Sequence, residues 1–343
     1  MHLNRRTVIA AAATAVASYP FRSAVAQETI AVGAAATTSD APIFIADKLG
    51  YFREEGLTVK VTNFRSAADM VPVLGTGALD AGAGSASAGL YNAFLRGINI
   101  RIVADKASSP PGYGATKILI RADHFESGRF KTVADIKGFR FAMNAPGVSN
   151  TATLNALLRS AGLRYSDVTT VNMPLPEHVA ALGNKAVDAS ASVEPAATIA
   201  IRNKFARLLK SDDEIIPNHQ IAVLLYSEKF AKNRDAGNRF MRAYIRAVRF
   251  YNGALSNGRL AGPNADKVIE ILAASTPIKD PAIYRAITPT GMNPDGRVNV
   301  ASLADDLAFY TEQKLVSGKV DMNRLVDHSF ADAAVKALGP YKK

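Results

Sequence analysis

A chain of 343 residues with 48% hydrophobic side chains is long enough for two packed lobes. It has no cysteine, which excludes disulfide staples, thiol catalysis and a lipid-anchoring cysteine. The formal charge of +11 is spread along the sequence, with no dense basic run and no aromatic–arginine interleaving, so nucleic acid is not an expected partner.

Residues 1–26 read as an export signal. Asn4-Arg5-Arg6-Thr7-Val8-Ile9 is a twin-arginine pattern, an alanine-rich run follows, and Ala24-Val25-Ala26 predicts cleavage before Gln27. A general secretory signal is the alternative; either one places the mature chain in the periplasm. Removing Arg5, Arg6 and Arg22 leaves a charge of +8. The apolar run is too short to anchor the chain.

The mature sequence begins with a strand over Thr29–Gly33 and a small polar loop. Asp40-Ala41-Pro42 then reads as the start of a helix that ends at Gly50. Leu57–Asn63 alternates as a strand does, and Ser66 caps a helix through Leu74. Ala78–Ser85 follows as a short buried strand, and Ile98–Ala104 as another. Lys106–Gly114 reads as a Ser/Pro/Gly loop. This order argues for a mostly parallel sheet. Lys117–Arg121 is expected to cross into a second lobe, with a strand at Arg140–Met143, a long helix at Thr151–Ala161 and a strand at Val168–Asn172. Ala186–Ser192 echoes Ala78–Ser85: both carry a small-residue strand with one aspartate (Asp80, Asp188) and hydroxyls beyond it. Ala222–Tyr226 reads as the return crossover, and the pattern is helical from Glu228 onward. Expected segments are therefore 1–26, then 27–115 and 221–343 in lobe one and 116–220 in lobe two.

Ligands in open α/β sheets sit beyond the carboxyl ends of strands. The candidates there are Thr38, Ser39 and Asp40; Gly84, Ser85 and Ser87; Ser108; and the helix-opening run Asn144, Gly147, Ser149, Asn150 and Thr151. Free N–H groups at helix starts bind carboxylate, sulfonate or phosphate; each residue also serves as a simple cap. Glu194, before Pro195, is either an acceptor for an amine or ring N–H or an acid at a helix start. Tyr113 could stack on a ring. Arg239, Arg242, Arg246 and Arg249 share one helix face, either solvated or a docking surface. The histidines lack metal-ligand spacing, no Walker loop, nucleophile elbow or HExxH motif occurs, and no cofactor is expected.

The phrase Pro42…Ala46…Gly50-Tyr51-Phe52…Glu55-Gly56-Leu57…Val59 resembles the opening of substrate-binding proteins of ABC importers for nitrate, sulfonates, taurine and thiamine-type pyrimidines. Gly77–Gly82, Asp135–Gly138 and Asp188–Pro195 support the resemblance, which spans roughly residues 29–250. It implies a type II periplasmic binding protein: two mostly parallel sheets flanked by helices, joined by two crossover strands, closing on a solute. It also implies a monomer that delivers the solute to an inner-membrane ABC permease. Two enzymes that share the fold, a sulfinate desulfinase and a fungal pyrimidine-forming enzyme, depend on cysteine, which this chain lacks; an enzyme on the same fold, with Glu194 or Asp40 as its base or nucleophile, is an alternative. A sulfonate, taurine or nitrate suits the helix starts and positive charge. A pyrimidine suits Glu194. A sensory binding protein is a further alternative.

Overall fold

A computed structural model describes residues 27–342; the expected signal lies outside the described residues. The chain lays down β1 (Glu28–Ala34), β2 (Leu57–Asn63), β3 (Ala81–Gly84) and β4 (Arg101–Ser109). It then crosses to β5 (Thr116–Arg121), β6 (Arg140–Met143), β7 (Thr169–Asn172), β8 (Ala189–Val193) and β9 (Ala206–Ser211), and returns as β10 (His219–Tyr226). The sheet orders are β2-β1-β3-β10-β4 and β7-β6-β8-β5-β9. These are one layout used twice. In each sheet four strands run in one direction, and the strand arriving from the other lobe is antiparallel to both its neighbours.

The repeated aspartates explain themselves in this layout. Asp80 precedes β3 and accepts the Ala31 N–H of β1 at 2.8 Å. Asp188 precedes β8 and accepts the Arg140 N–H of β6 at 3.0 Å. Each carboxylate ties the start of one parallel strand to its neighbour. Small residues then let β3 sit close under a helix: a Cβ on Gly84 would lie 2.4 Å from the Ala67 side chain.

The helix Ala67–Gly75 starts at the expected cap, where Ser66 accepts the Asp69 N–H at 3.4 Å. The helix Arg234–Asn252 buries Phe240, Met241, Tyr244, Ile245 and Val248 on lobe one. Each buried side chain of that size contributes about 1.5–3 kcal/mol. Its opposite face carries the arginine row, which is committed within the chain. Arg239 pairs with Glu28, Arg242 with Glu55, Arg246 with Glu54 and Arg249 with Asp295, each at 2.6 Å.

Three expectations are corrected. The fourth strand does not stop at Ala104 but runs through Lys106 to Ser109. An edge strand, β9, occupies a stretch that carries no strand signal. The C-terminal region is not purely helical, since Leu255–Ser256 and Arg259–Leu260 form a short hairpin.

Candidate functional site

A cavity of about 60 Å³ lies between the lobes, several times the ~10–15 Å³ that admits one water. Lobe one supplies Thr37, Ser39, Gly84, Ser85 and Lys106; lobe two supplies Asn144, Val148, Ser149, Asn150, Leu175 and Val193. Ile221 and Ala222 of β10 form its floor near the crossover.

The charge at its centre is Lys106. Its side chain is 2% exposed, and Nζ lies 2.9 Å from Asp40 Oδ1 and 2.8 Å from Ser39 Oγ. One of its three N–H donors goes to Ser39, and the contact with Asp40 is an ion pair whose Oδ1 accepts no aligned hydrogen bond, so donor capacity remains for a solute. Asp40 is fixed from behind: its Oδ2 accepts the N–H groups of Ala35 and Thr37 at 3.2 and 2.9 Å. Those bonds bracket Ala36, held at φ +54°, a left-handed conformation costly for an alanine.

Lobe two contributes the start of the helix Ser149–Ser160. First-turn N–H groups lack intrahelical partners and carry the positive end of the helix dipole. Asn150 donates through Nδ2 to the Ala191 carbonyl at 2.9 Å, which fixes its side chain. Its Oδ1 and that of Asn144 are buried and have no partner among the described residues. The cavity thus combines a cation, hydroxyls and a helix start with two uncommitted acceptors. The lobes touch across it through the Ser85 and Ser149 hydroxyls, 3.1 Å apart, and through Ala88 N–H to Gly147 C=O at 2.8 Å.

Of the residues expected here, Ser39, Gly84, Ser85, Asn144, Ser149 and Asn150 come together in the cavity. The others do not line it. Thr38 is buried in the turn before the first helix. Asp40 sits behind Lys106 rather than facing the opening. Ser87 caps the helix Ala88–Leu95 by accepting the Leu90 N–H. Ser108 lies within β4 and donates to Asp105 at 3.4 Å. Tyr113 stays in the crossing loop, its N–H bonded to Pro110. Gly147 and Thr151 line a neighbouring cavity with Tyr165 and Phe309.

Glu194 is turned into the protein. Its carboxylate accepts Thr198 N–H at 3.0 Å, Thr198 O–H at 2.9 Å and Thr288 N–H at 3.4 Å. Burial raises its pKa, opposed by nearby Lys117. That geometry is the helix-start role. The hydroxyls of the second echo are also spent internally: Ser190 and Ser192 lie 2.8 and 2.9 Å from His178 Nδ1. Burial pushes His178 down to about 4, so the imidazole is neutral at ordinary pH.

Lys106 escapes the sequence reading because its segment looks like a loop. In Val103-Ala104-Asp105-Lys106-Ala107 two charges stand side by side between apolar residues, so no apolar–polar alternation marks the strand. Among the described residues no group of three or more His, Cys, Asp and Glu side chains is placed to hold a metal, and no helix is long and apolar enough to cross a membrane.

Three comparisons bear on this architecture. An aliphatic sulfonates-binding protein of Escherichia coli (strain K12), so described, is 27% identical over 225 residues; the match covers 63% of this chain and 64% of that relative. The chain therefore aligns with slightly less than two thirds of the relative's length. The crystal structure of the periplasmic aliphatic sulphonate binding protein SsuA from Escherichia coli superposes with a TM-score of 0.68 at 23% identity, covering 88% of this chain and 92% of that one. The periplasmic nitrate-binding protein NrtA from Synechocystis PCC 6803 gives 0.75 at 14% identity, covering 91% and 89%. These likenesses show the fold of type II periplasmic binding proteins, as the sequence resemblance implies. The model of the NMT1-like family matches residues 23–272, more than two thirds of the chain: the protein belongs to the NMT1-like family.

Proposed function

We propose that this protein is the extracytoplasmic solute-binding component of an ABC importer and captures a small anionic organic solute between its lobes. One observation carries the reading: a cleft lined from both lobes holds the buried Lys106 ammonium opposite the start of the helix Ser149–Ser160. A negative head group would take a free N–H of Lys106 and the backbone amides of Ser149 and Asn150. The uncommitted oxygens of Asn144 and Asn150 would take an N–H or O–H elsewhere on the solute. An aminoalkyl sulfonate satisfies both ends, whereas nitrate satisfies only the first. The sulfonate- and nitrate-binding proteins of the same fold support the solute class. Binding and hinge closure are the mechanism, with no bond made or broken, and a membrane permease is the partner. The chain acts as an exported monomer in the periplasm.

A thermal-shift panel tests this on the mature chain from Gln27, with ethanesulfonate, taurine, nitrate, acetate and a hydroxymethylpyrimidine. A ligand at 100 times its Kd adds about 2.7 kcal/mol, a clear rise in Tm. Taurine shifting Tm more than nitrate is the expected result. Silence from every anion with a response to the pyrimidine would overturn the assignment.

A further inference from the structure

The helix Val300–Glu312 belongs to lobe one by its packing, yet it grips lobe two as well. On its lobe-one side the Tyr310 ring stands 6.3 Å from Tyr91, and the Leu303 carbonyl accepts the Tyr91 hydroxyl at 3.3 Å. Asp306, Phe309 and Glu312 carry a different set of contacts. Phe309 meets Tyr165 of lobe two edge to face, centroids 5.2 Å apart. Glu312 pairs with Arg159 of the lobe-two helix Ser149–Ser160. Asp306 lies 3.0 Å from His219 Nε2, at the start of the returning β10.

That histidine extends the grip across the hinge. Its Nδ1 lies 3.1 Å from Asp212, which follows β9 of lobe two. Asp212 also accepts from Ser109 at the end of β4 and from Thr153 of the lobe-two helix. Just beyond the helix, Leu315 takes the Asn92 side chain of lobe one on its carbonyl at 2.7 Å, and its side chain reaches Gly147 of lobe two. None of Asp306, Phe309, Glu312 and Leu315 lines the cavity around Lys106.

We propose that the helix Val300–Glu312 is a clasp: from outside the cleft it bridges both lobes and sets how far they close. Its effect on lobe separation stands on these contacts alone. Its effect on solute affinity rests on the proposed binding function.

The chain has no cysteine, so two introduced cysteines report lobe separation cleanly. Lys60→Cys on β2 and Thr169→Cys on β7 are exposed positions on the outer strands of the two sheets. Spin labels there give a distance distribution by pulsed electron resonance without added solute. R159E places like charges at the clasp, and Y165S removes its ring contact. Each is expected to move the main distance peak to longer separation, and E312R added to R159E is expected to bring it back. Arg159 is more than half exposed, so R159E tests the clasp even where Y165S fails to fold. Unchanged distributions in R159E and in the double swap, with parental circular dichroism, would overturn the proposal. The thermal-shift response to taurine is a separate readout. Its loss in the parent refutes the binding function and leaves the spacing result intact.

Discussion

The pair Lys106–Asp40 makes the sharpest prediction, because its two halves fail differently. Both side chains are buried, at 2% and 0% exposure. Replacing Lys106 by Met sets the buried Asp40 carboxyl against an apolar side chain. It keeps its bonds to Ala35 and Thr37 but loses its cation. Removing one partner of a buried pair costs about 3–5 kcal/mol. D40N alone strands the ammonium and costs a similar amount. The double variant K106M/D40N removes both charges and so avoids the stranded charge that either single variant creates. Its new amide oxygen can still accept the Ala35 and Thr37 N–H groups. Urea denaturation of the four proteins therefore yields a strongly non-additive cycle, with the double variant near wild type. The same double variant keeps the fold and loses the cation of the cleft, so taurine no longer raises Tm. Additive losses would refute the coupling. A double variant that binds taurine like the wild type would refute the role of Lys106 in the cleft.

Further expectations follow from other buried titratable groups. Burial pushes Asp105 up to about 6 and His178 down to about 4. Asp105 therefore loses stability as pH rises from about 4 to 6, and His178 loses it as pH falls from about 6.5 to 4, each by about 3 kcal/mol. These slopes oppose one another. Tm of H178Q should fall, and that of D105N should rise, between pH 4 and 6 relative to the wild-type profile; parallel profiles would refute the assignment. His219 is raised well above its ordinary value: burial opposes its charge, but Asp306 and Asp212 overcome that. Its contribution is full below pH 6.5 and lost at alkaline pH, so the Tm deficit of H219Q should shrink from pH 6 to 9. A36G removes the cost of a left-handed alanine and should leave stability unchanged or raise it by up to about 1 kcal/mol, read as a urea midpoint.

The repeated aspartate strands, the Ser66 cap and the family phrase at residues 42–59 were legible because each is local: a cap, a turn glycine and a small-residue strand lie within one window of sequence. Lys106 was not. The run Ser108-Ser109-Pro110-Pro111-Gly112 signals a loop, and the strand persists to Ser109 only because β10 pairs with it, through bulges near Gln220 and Ala222. That partner is distant in sequence, so no local pattern announces it. β9 failed for a related reason. It is an edge strand with Arg207, Leu208 and Lys210 exposed, and its order comes from β5. Polar side chains posed the harder problem. Ser85 follows β3 and Ser190 lies within the matching strand β8, yet one faces the cleft and the other binds His178. A hydroxyl finds whichever partner the fold brings, and composition cannot choose between them.

The division of charge between the lobes bears on how closure depends on solute. Lobe one holds the cation and lobe two the helix start, so a solute must touch both to favour the closed form; equal affinity for open and closed forms would shift nothing. Directly across the cleft the protein makes only modest bonds, such as Ser85 to Ser149 and Ala88 to Gly147. Much of the bridging instead lies outside it, on the helix Val300–Glu312. A strong clasp there would close the lobes with or without solute and abolish selectivity. The exposed ion pair of Arg159 and Glu312 belongs to a class worth about 0–1 kcal/mol, so the grip rests mainly on Phe309 against Tyr165 and on the buried contacts of His219 with Asp306 and Asp212. Under the proposed function, a solute bridging Lys106 and the start of the helix Ser149–Ser160 supplies the further bias toward closure, and in that reading closure reports occupancy.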